Sequence, residues 1–184
     1  MLELPTERLR LFLPKPQQAE LVLKYFIAQQ EHLRPTDPPL PSDFYTASFW
    51  RENLKRSIEE FEADRSVRLF MATKSNPDEI IGVVNFTNFI RGPFQACYLG
   101  YSIAKQCEGK GLMFEALQAG IEYIFTQKKL HRVMANHLAD NHRSAKVLQR
   151  LGFHVDGFSP DYLLIGDRWR DHVLNSLTNP NWSL

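Results

Sequence analysis

Cysteine is scarce in this sequence, and so is any excess of charge of one sign. The 184 residues include only two cysteines, Cys97 and Cys107, which lie too far apart to form a metal-binding Cys-x-x-Cys pair. Lysine and arginine total 22 against 21 aspartates and glutamates, so the net charge is +1. A chain this close to neutrality lacks the basic excess of a nucleic-acid-binding protein. We therefore expect no direct, sequence-specific binding of nucleic acid.

Long hydrophobic runs are also missing. No segment approaches the roughly 20 apolar residues that a membrane-spanning helix needs. Residues 1–7, Met-Leu-Glu-Leu-Pro-Thr-Glu, have neither the basic region nor the apolar core of a signal peptide. The sequence therefore predicts a cytoplasmic protein without a membrane partner.

The length and composition predict a single domain over residues 1–184. Apolar residues make up 43% of the sequence, enough for a substantial core at this length. Helix-like and strand-like segments follow one another in the order β-α-α-β-β-β-α-β-α-β-β, without internal repeats. The last two strands, over residues 155–165 and 168–177, form a predicted hairpin. This order predicts an α/β (α+β) fold whose mixed sheet has helices on both faces.

The most informative segment is residues 106–111, with the sequence Gln-Cys-Glu-Gly-Lys-Gly. It follows a predicted strand, Ala96–Ile103, and precedes a predicted helix over residues 112–127. Gly109 and Gly111 allow a tight turn that brings backbone N–H groups close to a ligand. The helix start adds unpaired amides and the positive end of its dipole, which favours a pyrophosphate or similar anion. The Lys-Ser or Lys-Thr of a nucleotide P-loop and the dinucleotide Gly-x-Gly-x-x-Gly pattern are both absent.

A second segment supports the first. After the predicted helix comes an apolar strand, Arg132–Leu138, then Asp-Asn-His-Arg-Ser at 140–144, another helix, and Leu-Gly-Phe at 151–153. In motif and order the two segments resemble the GNAT acyltransferases, whose Gln/Arg-x-x-Gly-x-Gly/Ala loop holds coenzyme A by its pyrophosphate. The resemblance implies the GNAT fold, a mostly antiparallel sheet of about seven strands that is splayed between its fourth and fifth strands. It also implies acetyl-CoA as co-substrate. The six histidines show no metal-ligand spacing, so we expect no metal.

The resemblance assigns a cofactor site residue by residue. In the family, the fourth strand is bulged, Gly100 being the residue at that place here, and its backbone faces the pantetheine arm and acetyl carbonyl. One N–H there stabilises the oxyanion. Asn141 matches a family residue that bonds the pantetheine, although Asn is also a good helix N-cap and both roles can coexist. The cofactor-binding residues so implied are Tyr101, Ser102, Ile103, Gln106, Gly109, Lys110, Gly111, Leu112, Met113, Asn141 and Ser144.

The usual proton donor of the family is absent. Many members carry a Tyr seven residues after the Asn, as general acid for the leaving thiolate, whereas this sequence has Leu148. Either Ser144 protonates or solvates the thiolate, or a leaving group whose thiol pKa is near 8.5 needs little help. A purely structural role of Ser144 in the first helical turn is the third alternative.

The C-terminal region points to one branch of the family. Residues 161–165 and 169–174 resemble the RimJ/RimL group of ribosomal-protein N-terminal acetyltransferases, especially the type that acetylates an N-terminal alanine of a small-subunit protein. This resemblance implies a ribosomal-protein N-terminus as acceptor and association with the ribosome or a pre-ribosome. In that group an acid just before a Tyr on the sixth strand is the suggested general base, which is Asp161 here. Asp161 could instead secure the hairpin, since Asp171 and His172 are equally polar.

Two other functions stay open on the sequence alone. One is a GNAT enzyme for a small amine such as a polyamine or aminoglycoside, although residues 32–43 carry few of the acids such a pocket needs. The other is a non-catalytic module that binds acetyl-CoA or assists ribosome assembly. The amine chemistry favours an N-terminus, because about a tenth of an α-amino group is neutral at pH 7, far more than of a lysine.

Overall fold

The computed structural model describes residues 2–183. A single eight-stranded sheet has the strand order β1-β2-β3-β4-β5-β6-β8-β7. Its strands are β1 (Glu3–Pro5), β2 (Leu9–Phe12), β3 (Val67–Thr73), β4 (Gly82–Ile90), β5 (Ala96–Ile103), β6 (Arg132–Leu138), β7 (His154–Ile165) and β8 (Arg168–Thr178). The helices are α1 (Ala19–Ala28), α2 (Gln30–Leu33), α3 (Ala47–Glu62), α4 (Leu112–Thr126) and α5 (His142–Arg150).

The predicted fold class is confirmed, with one strand more than expected. The additional strand is β1, whose three residues pair with β2 through contacts such as Leu4 opposite Leu11. Three residues that include Pro5 are too short to display the alternation that marks a strand in sequence. The hairpin of β7 and β8 lies where it was predicted.

Helices cover both faces of the sheet because its central strands are apolar on both sides. On one face α4 and α5 place Leu117 and Leu148 in a buried cluster with Phe86 of β4. On the other face α1 and α3 build a second cluster, in which Leu54 and Phe70 are fully buried. The sheet therefore separates two cores, and each buried strand residue packs into one core or the other.

The sheet opens between its only parallel neighbours among the described residues. Pairing of β5 with β6 begins at Ala96 opposite Arg132 and stops at Tyr98 opposite Met134. Both strands continue beyond that point without a ladder between them. This confirms the predicted splay between the two strands and leaves one edge of β5 unpaired up to Ile103.

The irregularity next to this opening lies on β4, and not at Gly100 as the resemblance implied. Gly100 pairs regularly with Asn85 of β4. The register shift falls between Thr87 and Ile90, where Asn88 takes a φ of 53°. Asn tolerates this left-handed conformation better than most residues, so a bulge at Asn88 needs no glycine.

A close contact between α4 and β4 yields a prediction on stability. A Cβ added to Gly120 would lie 2.8 Å from the ring of Phe86, which is fully buried. Alanine should gain about 1 kcal/mol of helix propensity at Gly120, but overpacking should cost about 1–3 kcal/mol. We expect Gly120→Ala to lower the free energy of unfolding, measured by urea denaturation. Gln118→Ala, on the exposed side of α4, should change it by less than about 0.5 kcal/mol. A Gly120→Ala protein that is about 1 kcal/mol more stable than the parent, the full gain in helix propensity, would refute the packing account.

Candidate active site

Tyr101 and Ser102 link the end of β5 to helices on opposite faces of the sheet, since successive strand residues point to opposite sides. The Tyr101 hydroxyl and Ser144 Oγ of α5 are 2.5 Å apart. The Ser102 hydroxyl and the Tyr25 hydroxyl of α1 are 3.2 Å apart. The opening beside β5 therefore has a hydroxyl pair on each face.

Both tyrosines of these pairs are neutral near pH 7. Burial raises the pKa of Tyr101 to about 12, although its hydrogen bond with Ser144 opposes the rise. Burial also raises the pKa of Tyr25 to about 12. Each phenol can therefore donate a proton in a hydrogen bond, but neither is an anionic base.

The unpaired edge of β5 directs backbone N–H groups into the opening. The N–H of Ala104 donates to Ile81 O at 2.8 Å, on the side of β4. Along an antiparallel ladder these groups alternate in direction, so the N–H of Ser102 also faces β4, while those of Tyr101 and Ile103 face the opening. Tyr101 and Ile103 therefore present a backbone N–H to the opening, whereas Ser102 has its hydroxyl on the α1 face.

The loop before α4 adopts the backbone that its glycines suggest. Gly109 and Gly111 have φ values of 72° and 75°, in the left-handed region. Gly111 is the N-cap residue of α4, and within the described chain no side chain caps this helix. The side chains of Leu112 and Met113 are buried, so what the first turn of α4 presents to a ligand is its backbone N–H groups. These N–H groups are available to an anion.

Arg8 and Glu115 hold this loop from its outer side. Arg8 Nη1 donates to Lys110 O at 2.9 Å, and Arg8 Nε donates to Glu115 Oε2 at 2.6 Å. Burial alone would raise the pKa of Glu115, but hydrogen bonds from Thr6 and Arg8, with the Arg8 charge, lower it overall. Glu115 is therefore ionised at neutral pH and keeps Arg8 on the loop. No sequence signal joined these residues, which are more than a hundred positions apart.

The other side chains of the loop differ in their availability. Gln106 and Lys110 are exposed and can reach toward a ligand. Burial raises the pKa of the Cys107 thiol, partly opposed by the charge of Lys110, so the loop does not activate Cys107. Glu108 forms an ion pair with Arg143 of α5, and its Oε1 lies 3.4 Å from His32 Nε2. The one acid in the loop is thus paired with Arg143 and does not compete for the open amides.

The start of α5 shows which of its expected roles are present. Asn141 Oδ1 accepts a hydrogen bond from the Ser144 N–H at 3.1 Å, so Asn141 is the N-cap of α5. Leu148, where many family members have Tyr, is buried in the core against α4. Position 148 therefore supplies no hydroxyl to act as proton donor. Ser144 and Tyr101 carry the hydroxyls that could take that role.

The β7–β8 hairpin places Asp161 at an irregularity of β7. Asp161 has a φ of 47°, and its N–H donates to Asp171 Oδ1 at 2.9 Å. Asp171 therefore secures the hairpin, which leaves the exposed Asp161 carboxylate without a hydrogen bond among residues 2–183. The following Tyr162 accepts a hydrogen bond from Asn136 of β6 at 2.9 Å. Asp161 and Ser144 lie on separate elements, and no hydrogen bond joins them in the described part of the chain.

Several groups near the opening were missed by the sequence analysis. Tyr25 has the helical spacing of an ordinary core residue, and nothing marked its contact with β5.

A surface groove of about 830 Å³ between α4, α5 and the C-terminal segment contains none of the predicted site residues. Within residues 2–183, no three His, Cys, Asp or Glu side chains are grouped as metal ligands. None of the helices between residues 2 and 183 has the length and hydrophobicity of a transmembrane segment.

Comparison with known proteins identifies the family. Residues 8–154 match the profile of the family described as the acetyltransferase (GNAT) domain. The chain belongs to the GNAT acetyltransferase family. Over 180 residues this GNAT protein is 43% identical to the ribosomal protein uS5-alanine N-acetyltransferase of Escherichia coli (strain K12), which covers 98% of the chain and 92% of that relative.

Solved structures of GNAT proteins agree in fold. The ribosomal-protein-S5-alanine acetyltransferase of Vibrio fischeri superposes with a TM-score of 0.95, at 33% identity and with both chains fully covered. Mycobacterium smegmatis RimJ, solved in complex with CoA-disulfide, has a TM-score of 0.89 at 24% identity, covering 99% of this chain and 89% of that one. The expected GNAT fold is therefore confirmed, and the protein is an N-acetyltransferase by family.

The glycine loop yields a prediction on cofactor affinity. Alanine at position 109 would meet no atom within 4 Å, but it would be forced into a left-handed φ. That strain costs about 1–2 kcal/mol, so we expect Gly109→Ala to raise the Kd for CoA about 5- to 30-fold in titration calorimetry. Gly92→Ala is the matched control, because Gly92 has a φ of 70° and equally open surroundings in the turn between β4 and β5. Equal effects of both substitutions on CoA binding would contradict the assignment of the loop.

Proposed function

We propose that this protein transfers acetyl from acetyl-CoA to the N-terminal α-amino group of a ribosomal protein, with an N-terminal alanine of the small-subunit protein uS5 as acceptor. The observation that carries acetyl transfer is the opening between β5 and β6, which ends at the uncapped amides of α4. The choice of acceptor is supported by the 43% identity to the Escherichia coli enzyme, which extends over nearly the whole chain.

The residues present fit a bound acetyl-CoA. The open amides at Gly109, Gly111, Leu112 and Met113, with the exposed side chains of Gln106 and Lys110, suit a pyrophosphate. The backbone N–H groups of Tyr101 and Ile103 suit an extended pantetheine arm that completes the ladder of β5. Ser102 contributes the α1 face of this channel, and Asn141 and Ser144 contribute its α5 face. Acetyl-CoA supplies the activated acetyl group as a thioester.

The proposed reaction is a direct attack in a ternary complex. The neutral amine attacks the thioester carbon, and an N–H of β5 stabilises the oxyanion. Removing such an oxyanion donor typically raises the activation barrier by about 3 kcal/mol. The sulfur leaves as a thiolate toward the hydroxyl pair of Tyr101 and Ser144, which is neutral and able to donate. Asp161 is the proposed acceptor of the amine proton. Because an α-amino group is partly neutral at pH 7, a weak base is sufficient.

The setting follows from this substrate. We propose that residues 1–184 act as one domain, without a metal, in the cytoplasm where ribosomal proteins are made. Contact with the ribosome or a pre-ribosomal particle would occur through the acceptor protein, without recognition of nucleic acid sequence or of a membrane.

Mass spectrometry of an acceptor peptide tests the proposed function. A ten-residue peptide copied from the N-terminus of uS5 of the same organism, and containing a lysine, should gain one acetyl group at its α-nitrogen in the presence of acetyl-CoA. The same peptide already acetylated at its N-terminus should remain unchanged. Transfer to the lysine, or to spermidine in place of the peptide, would refute the N-terminal assignment.

The hydroxyl pair yields a kinetic prediction. Tyr101→Phe removes the hydroxyl that is hydrogen-bonded to Ser144. We therefore expect kcat to fall about tenfold or more while the Kd for CoA is unchanged. Ser144→Ala should do the same, and the double variant should be little worse than either, because the two hydroxyls act as a unit. Tyr123→Phe, a partly buried phenol on α4, serves as control. An unchanged kcat in Tyr101→Phe would show that the pair does not assist the thiolate.

A further inference from the structure

The corner between α1 and α2 is tied to the end of β5 at three places. Tyr25 meets Ser102, as described above. Gln29, at the end of α1, accepts a hydrogen bond from the Lys105 N–H at 3.0 Å. His32 of α2 lies beside Glu108 of the loop. These contacts hold the corner over the end of β5 on the face opposite to Ser144.

Asp37 follows directly on this corner and also contacts the β7–β8 hairpin. The N–H groups of Thr36 and Asp37 both donate to Leu33 O, which closes a turn after α2. The N–H of Gly166, at the tip of the hairpin, donates to Asp37 O at 3.0 Å. Asp37 is thus held by backbone hydrogen bonds between the end of α2 and the tip of the hairpin.

The Asp37 carboxylate has no partner among residues 2–183. It makes no ion pair and no side-chain hydrogen bond there, although the residue is half-buried. The titratable groups that face it are the phenols of Tyr25 on α1 and Tyr45 before α3, whose pKa values its charge raises in addition to the effect of burial. From the hairpin it is approached by the backbone of Gly166. A partly desolvated carboxylate that has no ion pair within residues 2–183 favours a cation as its ligand.

We propose that Asp37 binds the α-ammonium group of the acceptor and holds the N-terminus against the acetyl group. This inference rests on the proposed function and adds a specificity-determining residue to it. The Ser144 face of β5 is assigned to the leaving sulfur, so the face with Tyr25 and Asp37 is left for the amine. The bound ammonium loses one proton to water before attack, and Asp37 then keeps the neutral nitrogen in place by accepting an N–H hydrogen bond. The second proton, released after the N–C bond forms, passes to Asp161.

An equilibrium binding experiment tests this role without catalysis. With CoA in place of acetyl-CoA no acetyl group can be transferred, so the affinities of two uS5-derived peptides can be compared, one with a free α-amino group and one acetylated. At pH 6.5 the wild-type protein should bind the free peptide about 10- to 100-fold more tightly, because a hydrogen bond to a charged group is lost on acetylation. Asp37→Asn should bind both peptides alike.

Two further variants complete the comparison. Asp37→Glu retains the charge and should retain a preference for the free amine. Asp43→Asn makes the same chemical change at an exposed acid further along the same loop and should keep the wild-type preference. Equal binding of the two peptides by the wild type, or an undiminished preference in Asp37→Asn, would overturn the inference.

The pH dependence of kcat/KM gives a second readout. Burial raises the pKa of Asp37 to about 6, so Asp37 loses its charge as the pH falls through 6, while the acceptor amine is already protonated. Below about pH 6 the wild-type plot of log kcat/KM against pH should therefore steepen to a slope of about two, one for each group. In Asp37→Asn the slope should stay near one. A wild type that acetylates no peptide would refute the proposed function, whereas active variants with wild-type slopes would refute only the role of Asp37.

Discussion

The site depends on a parallel ladder that stops early. β5 and β6 pair over three residues and then separate, although both strands continue. Backbone groups inside a protein need hydrogen-bond partners, so an unpaired edge in the middle of a sheet calls for a ligand or water. An extended, amide-containing arm can pair with such an edge as a strand would. The loop at its end adds the amides of α4, and one continuous backbone surface thus suits both parts of a long cofactor.

The two faces of β5 divide the proposed chemistry. Tyr101 and Ser102 are neighbours in sequence, yet one reaches α5 and the other reaches α1 because a strand alternates its side chains. A neutral hydroxyl pair suits a departing thiolate on the first face. The Asp37 carboxylate, which has no partner in the described part of the chain, suits an ammonium group on the second. In this proposal the sheet keeps the departing thiolate and the acceptor ammonium on opposite sides, so these two charges do not pair with each other.

Local chemistry explains which elements could be predicted. The glycine loop could be predicted because glycine is the residue that most readily adopts a left-handed backbone. Gly109 and Gly111 have that backbone in the structure, directly before a helix. β1 was not readable, since three residues carry no periodicity. The bulge was wrongly expected at Gly100. It lies at Asn88, because Asn can adopt the left-handed backbone that usually favours glycine. The hairpin role open to Asp161 belongs to Asp171, a choice that depends on which of two neighbouring acids faces the strand.

The sequence by itself determined the order of the elements other than β1, and the glycine loop before α4, because each of these is encoded over a few consecutive residues. The splay and the absence of the usual Tyr at Leu148 followed from the resemblance to GNAT proteins. Only the tertiary structure decided which side chains meet across the fold. Arg8 reaches Glu115, Tyr25 reaches Ser102, and Asp37 reaches the hairpin, and none of these contacts follows from a local pattern. Packing of distant segments selects them, and such packing depends on the shape of the whole sheet.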